Sequence, residues 1–232
     1  MNKIKYIIFD LDGVLAPIGV PMSDKTRNEL KKIQKMVKII IASGKNIDYL
    51  MGFSRALGIK PIALIGENGG RIFIYKDSKE IIFRNKKIIS KIKMDVLKKY
   101  KNIWSPNNKI QFSVYAKKSN LKKISEYIIK TYKRYINKSI KLIIHIDALD
   151  LLPKEINKGN AIKKLKEYLN LDTDEIISVG DSEVDLTMAK ETKYLIYLGK
   201  EKYNINNIIY VKDSSQMFKI INKLIGDVIF EN

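Results

Sequence analysis

Short, continuously apolar runs punctuate this chain, and each stops at polar residues. Tyr6-Ile7-Ile8-Phe9 ends at Asp10-Leu11-Asp12-Gly13, and Ile39-Ile40-Ile41-Ala42 ends at Ser43-Gly44-Lys45. Ile62-Ala63-Leu64-Ile65 ends at Gly66-Glu67-Asn68-Gly69-Gly70, and Ile176–Val179 ends at Gly180-Asp181-Ser182-Glu183-Val184-Asp185. Runs of this length without polar alternation predict strands buried on both faces of a parallel sheet. Between them the period lengthens to that of helices. One helix starts after Ser23, an N-cap residue, with Leu30, Ile33 and Val37 on one face. Another covers about 47–57 and is closed by Gly58. Further helices are expected from Asn157 to Tyr168 and near 215–225, with weaker strands at Tyr194–Tyr197 and Ile208–Val211. Alternation of strand and helix predicts an α/β fold built on a doubly wound parallel sheet.

The pattern changes in the middle. Arg71 to Tyr75 and Glu80 to Arg84 read as a hairpin around Lys76-Asp77-Ser78. Helical segments at about 86–100 and 119–135 are each followed by a strand candidate, Gln111–Tyr115 and Lys141–Ile146. This is the signature of an α+β insert. The expected division is therefore a core from residues 1–78 and 154–232, with an inserted domain at 79–153.

Composition narrows the class. The chain has 232 residues, 45% of them hydrophobic, which is enough for a substantial core. No apolar run approaches the roughly 18–20 residues of a membrane span. The N-terminus runs straight into its first strand without a leader pattern, so a cytoplasmic protein is expected. Cysteine is absent, which excludes thiolate metal sites and cysteine nucleophiles. The formal charge of +19 raises the question of a polyanionic partner. The lysines are spread along the chain, as in Lys31-Lys32, Lys117-Lys118 and Lys163-Lys164, with no arginine-rich tail. A solvated surface is the expectation, with nucleic acid unlikely as a partner and a monomer or homodimer as the assembly.

The polar strand ends carry the chemistry. In an open α/β sheet, ligands bind at the carboxyl edge of the strands. Asp10 and Asp12 lie two residues apart at such an edge. Their repulsion calls for a divalent metal between them or for an acid/base pair. Ser43, Asp181 and Lys158, at the start of a helix, join them on the same edge. Acids of one sign with a lysine and a hydroxyl suit Mg²⁺ and a phosphoryl group.

Four motifs in this order resemble the haloacid dehalogenase superfamily of phosphatases. They are Asp10-x-Asp12-Gly13-Val14, the apolar strand ending in Ser43-Gly44, Asn157-Lys158-Gly159-Asn160-Ala161, and Gly180-Asp181-Ser182-x-x-Asp185. The resemblance implies a Rossmann-like core with a C2B-type cap at the insert, and Mg²⁺-dependent hydrolysis of small phosphorylated metabolites. It implies Asp10 as nucleophile and Asp12 as general acid/base, with the Asp12 carbonyl on the metal. Ser43, Gly44, Lys45, Asn68 and Lys158 would hold phosphoryl or substrate, and Asp181 and Asp185 would complete the metal site. Lys45 and Val184 depart from the subclass pattern, which often has Arg and Asn there. The substrate cues divide. Glu67-Asn68-Gly69-Gly70 is similar to archaeal phosphoglycolate phosphatases, whereas Leu149-Asp150-Leu151-Leu152-Pro153-Lys154 is similar to sugar phosphatases. A phosphomutase shares the same motifs, and a binding protein on an inactive scaffold is the reading from another class. His145, in an apolar strand, and Trp104 are expected to be structural.

Overall fold

The computed structural model describes residues 3–226. The ends of the expected core range, residues 1–2 and 227–232, lie outside the described residues. In chain order the elements are β1 (Tyr6–Phe9), α1 (Asp24–Ile33), β2 (Lys38–Ala42), α2 (Ile47–Leu57), β3 (Ala63–Gly66), β4 (Arg71–Ile74) and β5 (Lys79–Ile82). They continue with α3 (Lys87–Lys99), β6 (Phe112–Tyr115), α4 (Lys118–Thr131), β7 (Ile140–Ile144) and β8 (Ala148–Pro153). The last are α5 (Lys158–Leu169), β9 (Ile176–Gly180), β10 (Tyr194–Tyr197), β11 (Ile208–Tyr210) and α6 (Ser214–Gly226). Short 3-10 turns lie at Glu67–Gly69, Thr173–Glu175 and Glu183–Glu191.

Two compact units result. One takes the chain up to Ile81 and from Lys158 onward, and the other is Ile82–Asn157. In the first unit an eight-stranded sheet has the order β11-β10-β9-β1-β2-β3-β4-β5. Its six strands from β11 to β3 run parallel, and β4 turns back antiparallel on β3. Helices α1, α2 and α6 bury Leu30, Ile33, Leu50, Phe218 and Ile221 against Ile7, Phe9, Ile39, Ile41 and Val179 on one face. Each such side chain contributes about 1.5–3 kcal/mol when fully buried. The alternate residues of these strands face the other way, and α5 packs on β3 and β4. That double cover is why β1, β2 and β9 read as unbroken apolar runs.

The helix ends follow from local chemistry. Ser23 Oγ accepts the Thr26 N–H at 3.1 Å, and Asn46 Oδ1 accepts the Tyr49 N–H at 2.9 Å. Gly58 ends α2 at φ +68°, a left-handed conformation that glycine adopts without strain.

The inserted unit pairs β6, β8 and β7 in an antiparallel sheet of that order. Helices α3 and α4 cover one face, with Ile92, Val96, Ile124 and Ile128 against Phe112, Val114, Leu149 and Leu151. Strand β8 is a departure from the sequence expectation, which stopped at a strand over 141–146. The chain turns at residues 145–147 and returns as the central strand of this sheet. The helix expected at 119–135 ends at Thr131, and the second hairpin strand spans Lys79–Ile82. His145 lies just beyond β7, and Trp104 is 61% exposed with its ring tilted on Tyr115. Among the described residues, no helix is long and apolar enough to cross a membrane.

Candidate active site

Strand β1 lies between β9 and β2, with Phe9 level with Val179 on one side and Ile41 on the other. The three strands run parallel, so their polar successors emerge at one edge. Asp10 follows β1, Ser43 follows β2 and Asp181 follows β9. The Asp10 N–H still donates to the Val179 carbonyl at 3.0 Å, which extends the ladder to the first candidate residue. Beyond it the chain folds back tightly, with the Gly13 N–H donating to the Ala16 carbonyl at 2.7 Å.

Lys158 is the centre of the arrangement. It opens α5, yet it is only 2% exposed. A lysine is rarely buried so deeply without partners. Its Nζ lies 2.7 Å from Asp10 Oδ1 and 2.7 Å from Asp185 Oδ1. The other oxygen of Asp185 accepts from the Asp181 N–H, the Ser182 N–H and, at 2.7 Å, the Ser182 hydroxyl. Asp185 thus ties the loop after β9 to α5. Thr187 strengthens the tie by accepting the Gly159 N–H at 3.2 Å. Carboxylate oxygens of Asp10, Asp181 and Asp185 all lie within 4.8 Å of one another.

Gly13 makes this spacing possible. Its φ is +84°, and a side-chain carbon there would lie 1.8 Å from Asp181 Oδ2. Only a residue without one lets the β1 loop approach the β9 loop so closely.

The second carboxylate of the Asp-x-Asp pair is placed differently. Asp12 Oδ2 pairs with Lys45 Nζ at 3.0 Å, on the loop after β2. Its carboxylate is not among the three that cluster. The Lys45 N–H donates to Ser43 Oγ at 3.2 Å. Asn68 sits in left-handed backbone at φ 55°, its N–H donating to the Ser43 carbonyl at 3.1 Å. An added carbon on Gly44 would lie 3.2 Å from its amide nitrogen. Ser43, Gly44, Lys45 and Asn68 are therefore neighbours, beside Asp12. Glu67, completely buried, pairs with Arg71 at 3.3 Å, and Arg71 also binds Glu80. This brace behind Asn68 escaped the sequence reading, as did Thr187. An acid and a base four residues apart after a strand were the available signal for the first.

The electrostatics show an excess of negative charge. Burial raises Asp10 to about 7, with Asp185 and Asp181 adding to the effect and Lys158 opposing it. Burial and Asp185 raise Asp181 to about 6, again against Lys158. Lys158 is itself held above the ordinary lysine range: burial disfavours its charge, but Asp10 and Asp185 together outweigh that. The directions agree: a single ammonium stands among three carboxylates and does not offset the burial of Asp10 and Asp181.

Both raised acids bind more protons in the folded chain than in the unfolded one. Their contribution to stability is therefore full below the ordinary carboxylate range and is lost as pH rises through about 6 and then about 7. Without divalent ions, the urea midpoint is expected to fall between pH 5 and pH 8, and a flat or rising profile would contradict this charge balance.

The comparisons with known proteins agree with the geometry. A phosphoglycolate phosphatase of Staphylothermus marinus is 27% identical over 210 residues, covering 82% of this chain and 83% of that protein. A crystal structure of a haloacid dehalogenase-like hydrolase from Bacteroides thetaiotaomicron superposes with a TM-score of 0.75 at 16% identity, covering 96% of this chain and 100% of that one. The structure of a subclass IIB sugar phosphatase gives 0.66 at 16% identity, covering 94% and 98%. The model of the haloacid dehalogenase-like hydrolases matches residues 7–121 and 90–211, which is most of the chain and every residue of the clustered site, and the chain belongs to that family.

Proposed function

We propose that the protein is a Mg²⁺-dependent phosphatase of small phosphorylated metabolites, working through an aspartyl-phosphate. The observation that carries this reading is the buried chain Asp10–Lys158–Asp185 at the sheet edge, with the Asp181 carboxylate beside it. The phosphatase names among its relatives support it.

The donor set fits Mg²⁺. Three carboxylates with one ammonium among them leave a net negative site of hard oxygen ligands. Asp10 and Asp181 would hold the ion together with the Asp12 carbonyl. Asp185, whose oxygens already accept from Lys158, Ser182 and two backbone amides, would orient the site. When bound, the ion neutralises charge on the phosphoryl oxygens and on Asp10.

In this reading, an Asp10 oxygen attacks phosphorus as the bond to the leaving oxygen breaks, and Asp12 delivers a proton to that oxygen. Water then attacks the phosphorus of the acyl phosphate, and Asp12 takes its proton. The bond to Asp10 breaks and inorganic phosphate leaves. Ser43, the Gly44 N–H, Lys45 and Lys158 hold the phosphoryl oxygens, and Asn68 contacts substrate. Lys45, 3.0 Å from Asp12 Oδ2, also keeps that side chain in position beside the loop after β2. The inserted unit selects the substrate as the family's cap. The setting is cytoplasmic, and the reaction needs neither nucleic acid nor membrane.

With Mg²⁺, the protein is expected to release inorganic phosphate from p-nitrophenyl phosphate and from members of a phosphorylated-metabolite panel, and to lose this activity in chelator. Turnover that persists without divalent ions would overturn the proposal. Isomerised hexose phosphate with little free phosphate would identify a mutase instead.

A further inference from the structure

The positive charge of this chain is concentrated in one unit. Ile82–Asn157 holds 19 of the 44 lysines and arginines but 5 of the 25 acids, a net +14 that leaves +5 for the rest of the chain. The lysines, spread along the sequence, are thus uneven in the fold. Residues 96–125 are the extreme, with eight lysines and no acid in thirty consecutive positions.

The fold gathers that stretch around one aromatic ring. Trp104, the single tryptophan, is 61% exposed and bridges to the outer edge of β6. Its N–H donates to the Tyr115 carbonyl at 3.0 Å, and the Tyr115 N–H donates to its carbonyl at 2.8 Å. The indole lies tilted on the Tyr115 ring, with centroids 5.1 Å apart. The end of α3 is held against α4, where the Tyr100 hydroxyl donates to the Lys123 carbonyl at 3.2 Å. Exposed Lys98, Lys99 and Lys101 precede the ring along the chain, and exposed Lys117, Lys118 and Lys122 follow its partner Tyr115. Helix α4 adds to the positive potential. Its N-cap is Lys117, which makes no side-chain cap, and its first turn has no acid. Helices α1 and α2 instead open with a Ser or Asn cap and an acid.

We infer that this face of the inserted unit binds single-stranded nucleic acid, with a base stacked on Trp104 and phosphates on the surrounding lysines. An exposed ring beside a lysine-lined path for the backbone holds single strands without sequence preference. A duplex keeps its bases stacked inside, out of reach of an indole. An anionic membrane would also meet the lysines, but it asks for apolar neighbours around the tryptophan. Here the exposed residues on either side of it are Asn102 and Asn107, whose amides suit base edges. Neither contact uses the phosphatase chemistry, so the two proposals stand or fall separately.

The single tryptophan makes the test direct. A short oligo(dT) strand is expected to quench the Trp104 emission of the full chain. Its affinity should fall about fiftyfold between 50 and 200 mM KCl, for about four phosphate contacts. Trp104→Ala should weaken binding of a labelled strand, read by anisotropy, by about tenfold without changing the salt slope. Lys101→Gln and Lys118→Gln should each reduce that slope by about 0.7. Quenching of the wild type carries the test if a variant fails to fold. Absence of binding at 50 mM KCl would overturn the inference, as would an oligonucleotide that binds without quenching. Poly-glutamate bound as tightly as the strand would also overturn it, by showing attraction to charge alone. So would a blue-shifted emission on phosphatidylserine vesicles at concentrations below those the strand needs, which would mark a membrane surface instead.

Discussion

Asp10→Asn is expected to lower Mg²⁺-dependent turnover of p-nitrophenyl phosphate by roughly 10⁴–10⁶-fold, the scale seen when a covalent nucleophile is removed. The fold should survive. Burial holds the Asp10 carboxyl up at about 7, so at pH 8 the folded chain carries the charged form at a net cost. Asparagine has nearly the shape of the neutral acid, and Lys158 keeps Asp185 as its partner at 2.7 Å. The variant should therefore melt no lower than wild type at pH 8, with a flatter stability profile between pH 5 and pH 8. Calorimetry at the two pH values checks this beside the rate assay. Retained turnover would remove Asp10 as nucleophile, whereas lost turnover with a collapsed melting transition would show a structural role only.

Lys158→Met is expected to be strongly destabilising. Methionine fills much of the same volume but leaves Asp10, Asp181 and Asp185 together without a cation. Removing one partner of a buried ion pair costs about 3–5 kcal/mol. The loss should be greatest at pH 8 and smaller at pH 5, because protonation relieves the repulsion. Magnesium should restore part of the melting temperature by binding the folded state alone. Urea titrations at both pH values, with and without Mg²⁺, measure all three effects. An effect under about 1 kcal/mol would contradict a buried, uncompensated carboxylate cluster in the variant.

The sheet and the site were legible to different degrees. Each strand that holds a clustered residue is a short apolar run with a polar successor, because double burial forbids polar positions within it. The edge on which Asp10, Ser43 and Asp181 meet follows from parallel pairing alone. Partners distant in sequence were not legible. Nothing local to Asp12 announces that its carboxylate meets Lys45, and nothing near Asp150 announces Ser113, 37 residues away. Strand β8 was hidden because the turn before it, His145-Ile146-Asp147, has no glycine or proline, and Ile146 prolongs the apolar run of β7. Exposure resolves it: Ile146 is 76% exposed at the turn, while Leu149 and Leu151 are fully buried. The 3-10 helix over Glu183–Glu191 carries Asp185 inward at its start.

The placement of β1 has a consequence for synthesis. On the ribosome its pairing with β2 forms early, since Tyr6 faces Lys38, but its other edge waits for Ile176. At about 5–20 residues per second, that strand edge stays open for roughly ten to thirty seconds. During that interval the nascent chain exposes the row of backbone donors and acceptors beside Asp10, which invites pairing with another chain. Closing that edge and delivering Lys158 to Asp10 are both left to the last third of the chain, so the polypeptide is most prone to aggregate while it is still chemically inert.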